Sequence, residues 1–115
     1  MKYADQIDYR LSLKKDGTFK LEFRMVVPSI TWVEAVQKRV GKNPPAVVEI
    51  HPKMYPMIES NKSFQKMLEK IREDASKKFG VGIGFATPRV KSAKIVKEGG
   101  EYYLKVVVVG AWAPV

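Results

Sequence analysis

The most constraining feature of this sequence is the run at residues 89–109, in which β-branched side chains lie on both sides of the pair Gly99-Gly100. Two consecutive glycines accept the positive φ angles of a tight turn, so the run predicts two long antiparallel strands joined as a hairpin. With those glycines as the turn, Ile95 pairs with Leu104 on a largely apolar face, which we expect to cover the core. The register continues away from the turn through three further pairs: Ala93 with Val106, Ser92 with Val107 and Val90 with Val109.

The opposite face of this hairpin places like charges directly across from one another. Lys94 is predicted to lie opposite Lys105, and Glu98 opposite Glu101, with Tyr103 close to both pairs. Cross-strand pairs of like charge are unfavourable, so another group must compensate for them. An exposed tyrosine beside paired lysines is typical of a sheet that binds a nucleic-acid strand by charge and stacking. A half-apolar outer face is equally consistent with a subunit interface, at which the lysines meet acidic groups of a partner.

A second hairpin is predicted over residues 7–27, where apolar and polar side chains alternate. A three-residue loop ending at Gly17 pairs Leu13 with Phe19 and keeps the apolar side chains on one face. The other face then sets opposite charges across the strands: Asp8 with Arg24 and Arg10 with Glu22. Because these charges cancel, we interpret this face as a solvated exterior rather than a binding surface.

Two helices and a short strand are predicted between the hairpins. A capping box and a following glycine indicate a first helix at about residues 31–40. An apolar strand is expected at residues 46–50. The second helix begins between Ser60 and Ser63 and ends at Gly80, with one apolar stripe along its length. Residues 53–58 are expected to form an apolar connector interrupted by proline.

Three cations gather at the end of the first predicted helix, namely Lys38, Arg39 and Lys42. The dipole of a helix favours cations at its C-terminal end for structural reasons alone. The same cluster is suited to contact phosphate groups, and both interpretations stay open.

His51 is the only histidine, and cysteine is absent. Metal sites and catalytic triads need more members than that, so we interpret His51 as a residue that caps a strand end or a turn. A pocket built from His51, Glu49, Tyr55 and Glu59 is the best enzymatic alternative, and it rests only on proximity in sequence. We therefore expect no catalytic, metal or cofactor site.

Glycine alternates with apolar residues over residues 80–85. A phosphate-binding glycine loop follows a strand and opens a helix, whereas this segment follows a helix and leads into a strand. It therefore predicts a strand with a bare face against which a helix or another backbone packs closely. We expect residues 86–88, which end in a proline, to break that strand before the hairpin.

Composition restricts the class of protein. The 115 residues predict a single domain spanning residues 1–115, and the formal net charge of +9 favours polyanionic partners. We expect a cytoplasmic protein without membrane association, because cysteine is absent and no signal-like segment or long apolar run is present. Scarce Asn and Gln beside abundant Lys, Glu and Val resemble a thermophilic composition.

The predicted elements define an α+β two-layer sandwich, in which a mostly antiparallel sheet of five or six strands carries two helices on one face in the order ββαβαβββ. From Phe19 onward, the order strand-helix-strand-helix-strand-strand resembles that of the archaeal Alba chromatin proteins and similar RNA-binding domains. This resemblance concerns element order only, and it implies nucleic-acid binding.

We expect a non-enzymatic nucleic-acid-binding protein with little sequence preference, because no base-reading motif is present. The expected contacts are Arg89, Lys94, Tyr103 and Lys105 on the C-terminal hairpin, with Lys38, Arg39 and Lys42 as auxiliary contacts. The alternative is a protein-interaction or homo-oligomeric assembly protein, in which residues 106–109 and Trp112 form the contact surface.

Overall fold

A computed structural model of the protein describes residues 8–27 and 47–115. The strands are β1 (Tyr9–Leu13), β2 (Thr18–Val26), β3 (Val47–Glu49), β4 (Ile83–Glu98) and β5 (Glu101–Pro114). Between β3 and β4 lie a 3-10 turn (Pro52–Met54) and two helices, α1 (Tyr55–Glu59) and α2 (Lys62–Phe79). The helix predicted at residues 31–40 lies outside the described residues, as does its cluster of Lys38, Arg39 and Lys42.

The five strands form one antiparallel sheet in the order β1-β2-β5-β4-β3. Helices α1 and α2 cover one face of it, the inner face, where Ile58, Phe64 and Ile71 are buried in the same core as the strand residues Phe23 and Leu104. The predicted α+β sandwich with an antiparallel sheet is therefore confirmed. Most of the predicted proline-interrupted connector at residues 53–58 forms the short helix α1, which the sequence did not predict.

The N-terminal hairpin has the predicted register. Leu13 lies opposite Phe19, and Arg10 lies opposite Glu22 on the outer face of the sheet. Gly17 has a φ angle of +88°, as the three-residue loop requires. Alternation of apolar side chains was therefore sufficient to determine how β1 and β2 pair.

The C-terminal hairpin follows its predicted register from the turn as far as the pair of Ser92 with Val107. Beyond that point the prediction is wrong, because a bulge shifts the register and Val90 lies opposite Val108. The carboxylate of Glu59 accepts a hydrogen bond of 2.8 Å from the backbone N–H of Val90, which gives the bulge amide a partner. Because of the bulge, Val90 is buried in the core on the face that the helices cover.

The predicted strand break at residues 86–88 is also wrong. Strand β4 continues through Pro88, and a second register shift between Ala86 and Arg89 accommodates the proline. Thr87 takes a φ angle of +50°, which is uncommon for a β-branched residue. The predicted glycine strand and the first hairpin strand are therefore one strand of 16 residues.

Helix α2 begins and ends where its capping residues predict. The side chain of Asn61 accepts hydrogen bonds from the backbone N–H groups of Ser63 and Phe64, at 2.9 and 3.2 Å. Gly80 closes the helix in the left-handed conformation with a φ angle of +72°. These local signals confirm the predicted extent of the second helix.

The end of the sheet remote from the Gly99-Gly100 turn is closely packed around glycine. Residue Gly110 approaches the ring of Phe19, which stacks on Phe85 with a centroid distance of 4.4 Å. Val115 packs against Gly82. The backbone N–H of Val115 donates a hydrogen bond of 2.9 Å to the carbonyl oxygen of Gly82. Gly82 and Gly84 are thus closely covered by Val115, as the predicted bare face requires, whereas a Cβ at Gly80 would meet no atom within 4 Å.

Replacing Gly110 with alanine is expected to lower the free energy of unfolding by about 2 kcal/mol, a typical cost of overpacking. The new Cβ would lie 2.7 Å from the Phe19 ring and 3.0 Å from two backbone carbonyl oxygens of β4, which the sheet holds in place. Denaturant unfolding measures the change. The control is Gly99→Ala, which meets no atom within 4 Å and costs only about 1 kcal/mol from its left-handed conformation. Equal losses in the two variants would contradict the packing argument.

Candidate nucleic-acid interface

Pairing of β2 with β5 joins the outer faces of the two hairpins into one surface. Arg24 on β2 lies opposite Lys105 on β5, which in turn lies opposite Lys94 on β4. The predicted pairing of Lys94 with Lys105 is confirmed, and Arg24 adds a third cation. We call these three residues the cation row.

Glu98 compensates for the like charges of the cation row. One of its carboxylate oxygens, Oε1, lies 2.7 Å from the guanidinium of Arg24, and the other, Oε2, lies 3.3 Å from the ammonium of Lys105. A hydrogen bond from Arg24, which has the larger effect, and one from Lys105 hold the pKa of Glu98 below its usual value. Among the described residues, an acid on the same hairpin therefore offsets part of the positive charge of the cation row.

Tyr103 lies beside the cation row but is less accessible than predicted. The guanidinium of Arg24 lies over one face of the ring, 4.3 Å from its centroid, and the side chain is half-buried. Its hydroxyl donates to the carboxylate of Glu101 at 3.2 Å. Tyr103 is therefore already engaged both at one ring face and at its hydroxyl.

An open depression of about 570 Å³ surrounds the cation row on the outer face. Its lining contains equal numbers of cationic and acidic side chains. They are Arg10, Arg24, Lys94, Lys105, Asp8, Glu22, Glu49 and Glu98. The cation row crosses the middle of the depression, and Glu49 lies opposite Lys94 at one end of it. The charged residues of the N-terminal outer face, Asp8, Arg10, Glu22 and Arg24, are exposed, as a solvated exterior requires, and β5 places Lys105 next to Arg24.

The other predicted contact residue, Arg89, is exposed on the outer face but lies outside this depression. It pairs with Val109, four residues along β5 from Lys105, a separation of roughly 13 Å. Lys20 of β2 pairs with the same valine from the other side. Arg89 and Lys20 therefore form a second cationic position on the same face.

Several residues that the sequence proposed for protein assembly have structural roles instead. Val106 and Val108 are 1% and 0% exposed and belong to the core. Only Val107 and Val109 lie on the outer face, where both are half-buried. The indole N–H of Trp112 donates to the backbone carbonyl of Lys14 at 2.9 Å, so this aromatic docks on the β1–β2 loop.

The four residues of the enzymatic alternative have separate roles. His51 caps the 3-10 turn by accepting the Lys53 backbone N–H at 3.1 Å, which confirms the capping interpretation. Tyr55 packs against the core, Glu59 accepts the hydrogen bond from β4, and Glu49 is exposed on the outer face. These side chains do not form one pocket.

Within residues 8–27 and 47–115, no three acidic or histidine side chains are arranged to hold a metal ion. No helix there combines the length and apolar character needed to cross a bilayer.

The fold and the outer face together define a small α+β protein with a charged, open sheet surface. Comparison of the chain with protein-family models, with curated proteins and with solved structures found no match. The resemblance in element order to the Alba proteins therefore stays a prediction.

The Glu98 contacts should appear in the pH dependence of stability. The pKa of Glu98 is lowered in the folded protein from its ordinary value of 4.5, so its contribution is complete above pH 4.5. It is lost as the pH falls through the lowered pKa, because protonation removes both ion pairs. We expect the difference in melting temperature between wild type and Glu98→Gln to shrink on acidification below pH 4.5. A difference that is constant from pH 7 to about pH 3 would contradict this.

Proposed function

We propose that the protein is a small, non-catalytic nucleic-acid-binding protein that contacts the phosphate backbone with the outer face of its sheet. The observation that supports this most strongly is the cation row, which crosses three neighbouring strands beside an arginine-stacked tyrosine. Phosphate contacts of this type supply affinity without reading the base sequence. Little sequence preference is therefore part of the proposal.

The spacing of the cation row suits a phosphate backbone. Neighbouring strands lie about 4.8 Å apart, so three cations on adjacent strands span roughly 10 Å. Among the residues that the structure describes, Lys94 has no carboxylate within 4.0 Å. A phosphate bound to its ammonium would therefore break no ion pair.

Two further cations on the outer face support the proposal. Lys20 and Arg89 lie on either side of Val109, so a nucleic-acid strand that runs along β5 would pass both the cation row and this second pair of cations. The net charge of +9 attracts polyanions at longer range. A cytoplasmic location belongs to this proposal, since the chain contains no cysteine and nucleic acid is present there.

Neutralising the two lysines tests the proposal. In Lys94→Gln/Lys105→Gln, affinity for a 20-nucleotide single strand should fall, because two phosphate contacts are lost. The slope of log K against log salt should become shallower by about 0.7 per contact for single strands, or about 0.9 for duplex. Fluorescence anisotropy with labelled DNA and RNA, repeated at several salt concentrations, measures both quantities.

The matched control is Lys66→Gln/Lys70→Gln, which removes the same charge from two exposed positions on α2. It should change the slope little, because these lysines lie on the helical side of the molecule. Equal effects of the two double variants would show that only net charge matters. A wild-type affinity independent of salt would overturn the proposal.

Self-association through the outer face is a second candidate. Val26 and Val47 are 71% and 47% exposed there, on either side of Tyr103 and Val96 in one row across the sheet. If this face buries itself against a second copy, the sedimentation coefficient should rise with protein concentration. Val26→Ser/Val47→Ser should then remain monomeric under the same conditions. A wild-type monomer at high concentration would contradict this candidate.

A further inference from the structure

Glu98 occupies an unusual position for an acid on a surface proposed to bind polyanions. It is the last residue of β4, directly before the Gly99-Gly100 turn, and its side chain reaches back to the cation row. Two of the three cations contact it, at 2.7 Å for Arg24 and 3.3 Å for Lys105. Each cation contacts a different oxygen of the same carboxylate.

This arrangement is the one that a phosphate group would need. A guanidinium and an ammonium that donate to separate oxygens of one anion bind a phosphate as well as a carboxylate. All three side chains are about two-fifths exposed, at 40% for Arg24, 42% for Lys105 and 41% for Glu98. An anion from solvent therefore has access to the position that the carboxylate occupies.

We infer that Glu98 is a built-in counter-anion in the phosphate seat formed by Arg24 and Lys105, and that a nucleic-acid strand binds there by displacing it. This inference rests on the proposed function and adds a means of selecting ligands. When a single phosphate binds, it only replaces the Glu98 carboxylate with another anion, so the net gain in binding free energy is small. A polyanion also reaches Lys94 and releases counterions, so it can displace the carboxylate.

Displacement is feasible because the contacts are exposed and adjoin a turn. Ion pairs between partly exposed side chains contribute little to stability, since solvent screens them. Gly99 and Gly100, which follow Glu98 directly, have φ angles of +57° and +82° and no neighbouring atom where a Cβ would be. The carboxylate can therefore leave without disturbing packed side chains.

The decisive variant is Glu98→Gln, and its matched control is Glu101→Gln. Glu101 lies directly opposite Glu98 in the ladder, so both changes remove one negative charge from the same end of the hairpin. Within the described ranges, Glu101 has no ion pair with a cation. At 0.1 M salt we expect Glu98→Gln to raise the affinity for the 20-nucleotide strand roughly 5- to 10-fold. Glu101→Gln should raise it less than about twofold.

A double-mutant cycle separates direct competition from long-range repulsion. In the Arg24→Gln/Lys105→Gln background, the further change Glu98→Gln should no longer increase affinity, because the seat that it blocked is gone. An equal increase with and without Arg24 and Lys105 would overturn the inference. It would show that Glu98 acts only through its charge.

A probe other than nucleic acid keeps the two proposals distinguishable. Titration with pyrophosphate should shift the NMR signal of the Arg24 Nε–H at lower concentration in Glu98→Gln than in Glu101→Gln. If this occurs but no variant binds an oligonucleotide, the proposed function fails and the phosphate seat stands. If oligonucleotides bind but Glu98→Gln and Glu101→Gln behave alike with both probes, the inference fails and the proposed function stands. If neither probe binds, both are overturned.

Discussion

The pairing of β2 with β5 is the contact on which the rest of this structure depends. All nine residues of β2 pair with residues 103–111, and this ladder joins two hairpins from opposite ends of the chain. It makes β5 a central strand, so that Leu104, Val106 and Val108 are almost completely buried. Closing the long intervening chain costs conformational entropy, which burial of these side chains offsets. The core and the outer face are both products of this one pairing.

The electrostatics of the outer face also follow from that pairing. On separate hairpins, Arg24 would face an aspartate, and of the three cations only the lysines would share a hairpin with Glu98. In the sheet, Arg24 and Lys105 share the carboxylate of Glu98, and the arginine also covers the ring of Tyr103. Carboxylates and cations are equally numerous in the depression, so its electrostatic potential depends on where the charges lie rather than on their sum.

The aromatic and valine residues near the C-terminus show how composition can mislead. A run of four valines and a tryptophan in the last ten residues has the composition of a docking segment. Alternation along β5 directs two of the valines into the core, and Trp112 hydrogen-bonds the β1–β2 loop. Less apolar surface therefore remains on the outer face than the sequence indicated. The most exposed valines of that face are instead Val26 and Val47.

The sequence by itself determined whatever depends on neighbours along the chain or on a short turn. Alternation and Gly17 determined the register of β1 with β2, Asn61 and Gly80 determined the ends of α2, and the Gly99-Gly100 turn determined the pairing of Lys94 with Lys105. Only the tertiary structure decided that β2 lies beside β5, that β4 bulges around Val90, and that Glu98 reaches Arg24. The reason is physical: alternation specifies which face of a strand is buried, but strands with the same alternation compete for the same neighbour. The choice between them depends on packing of the whole core, which no local pattern contains.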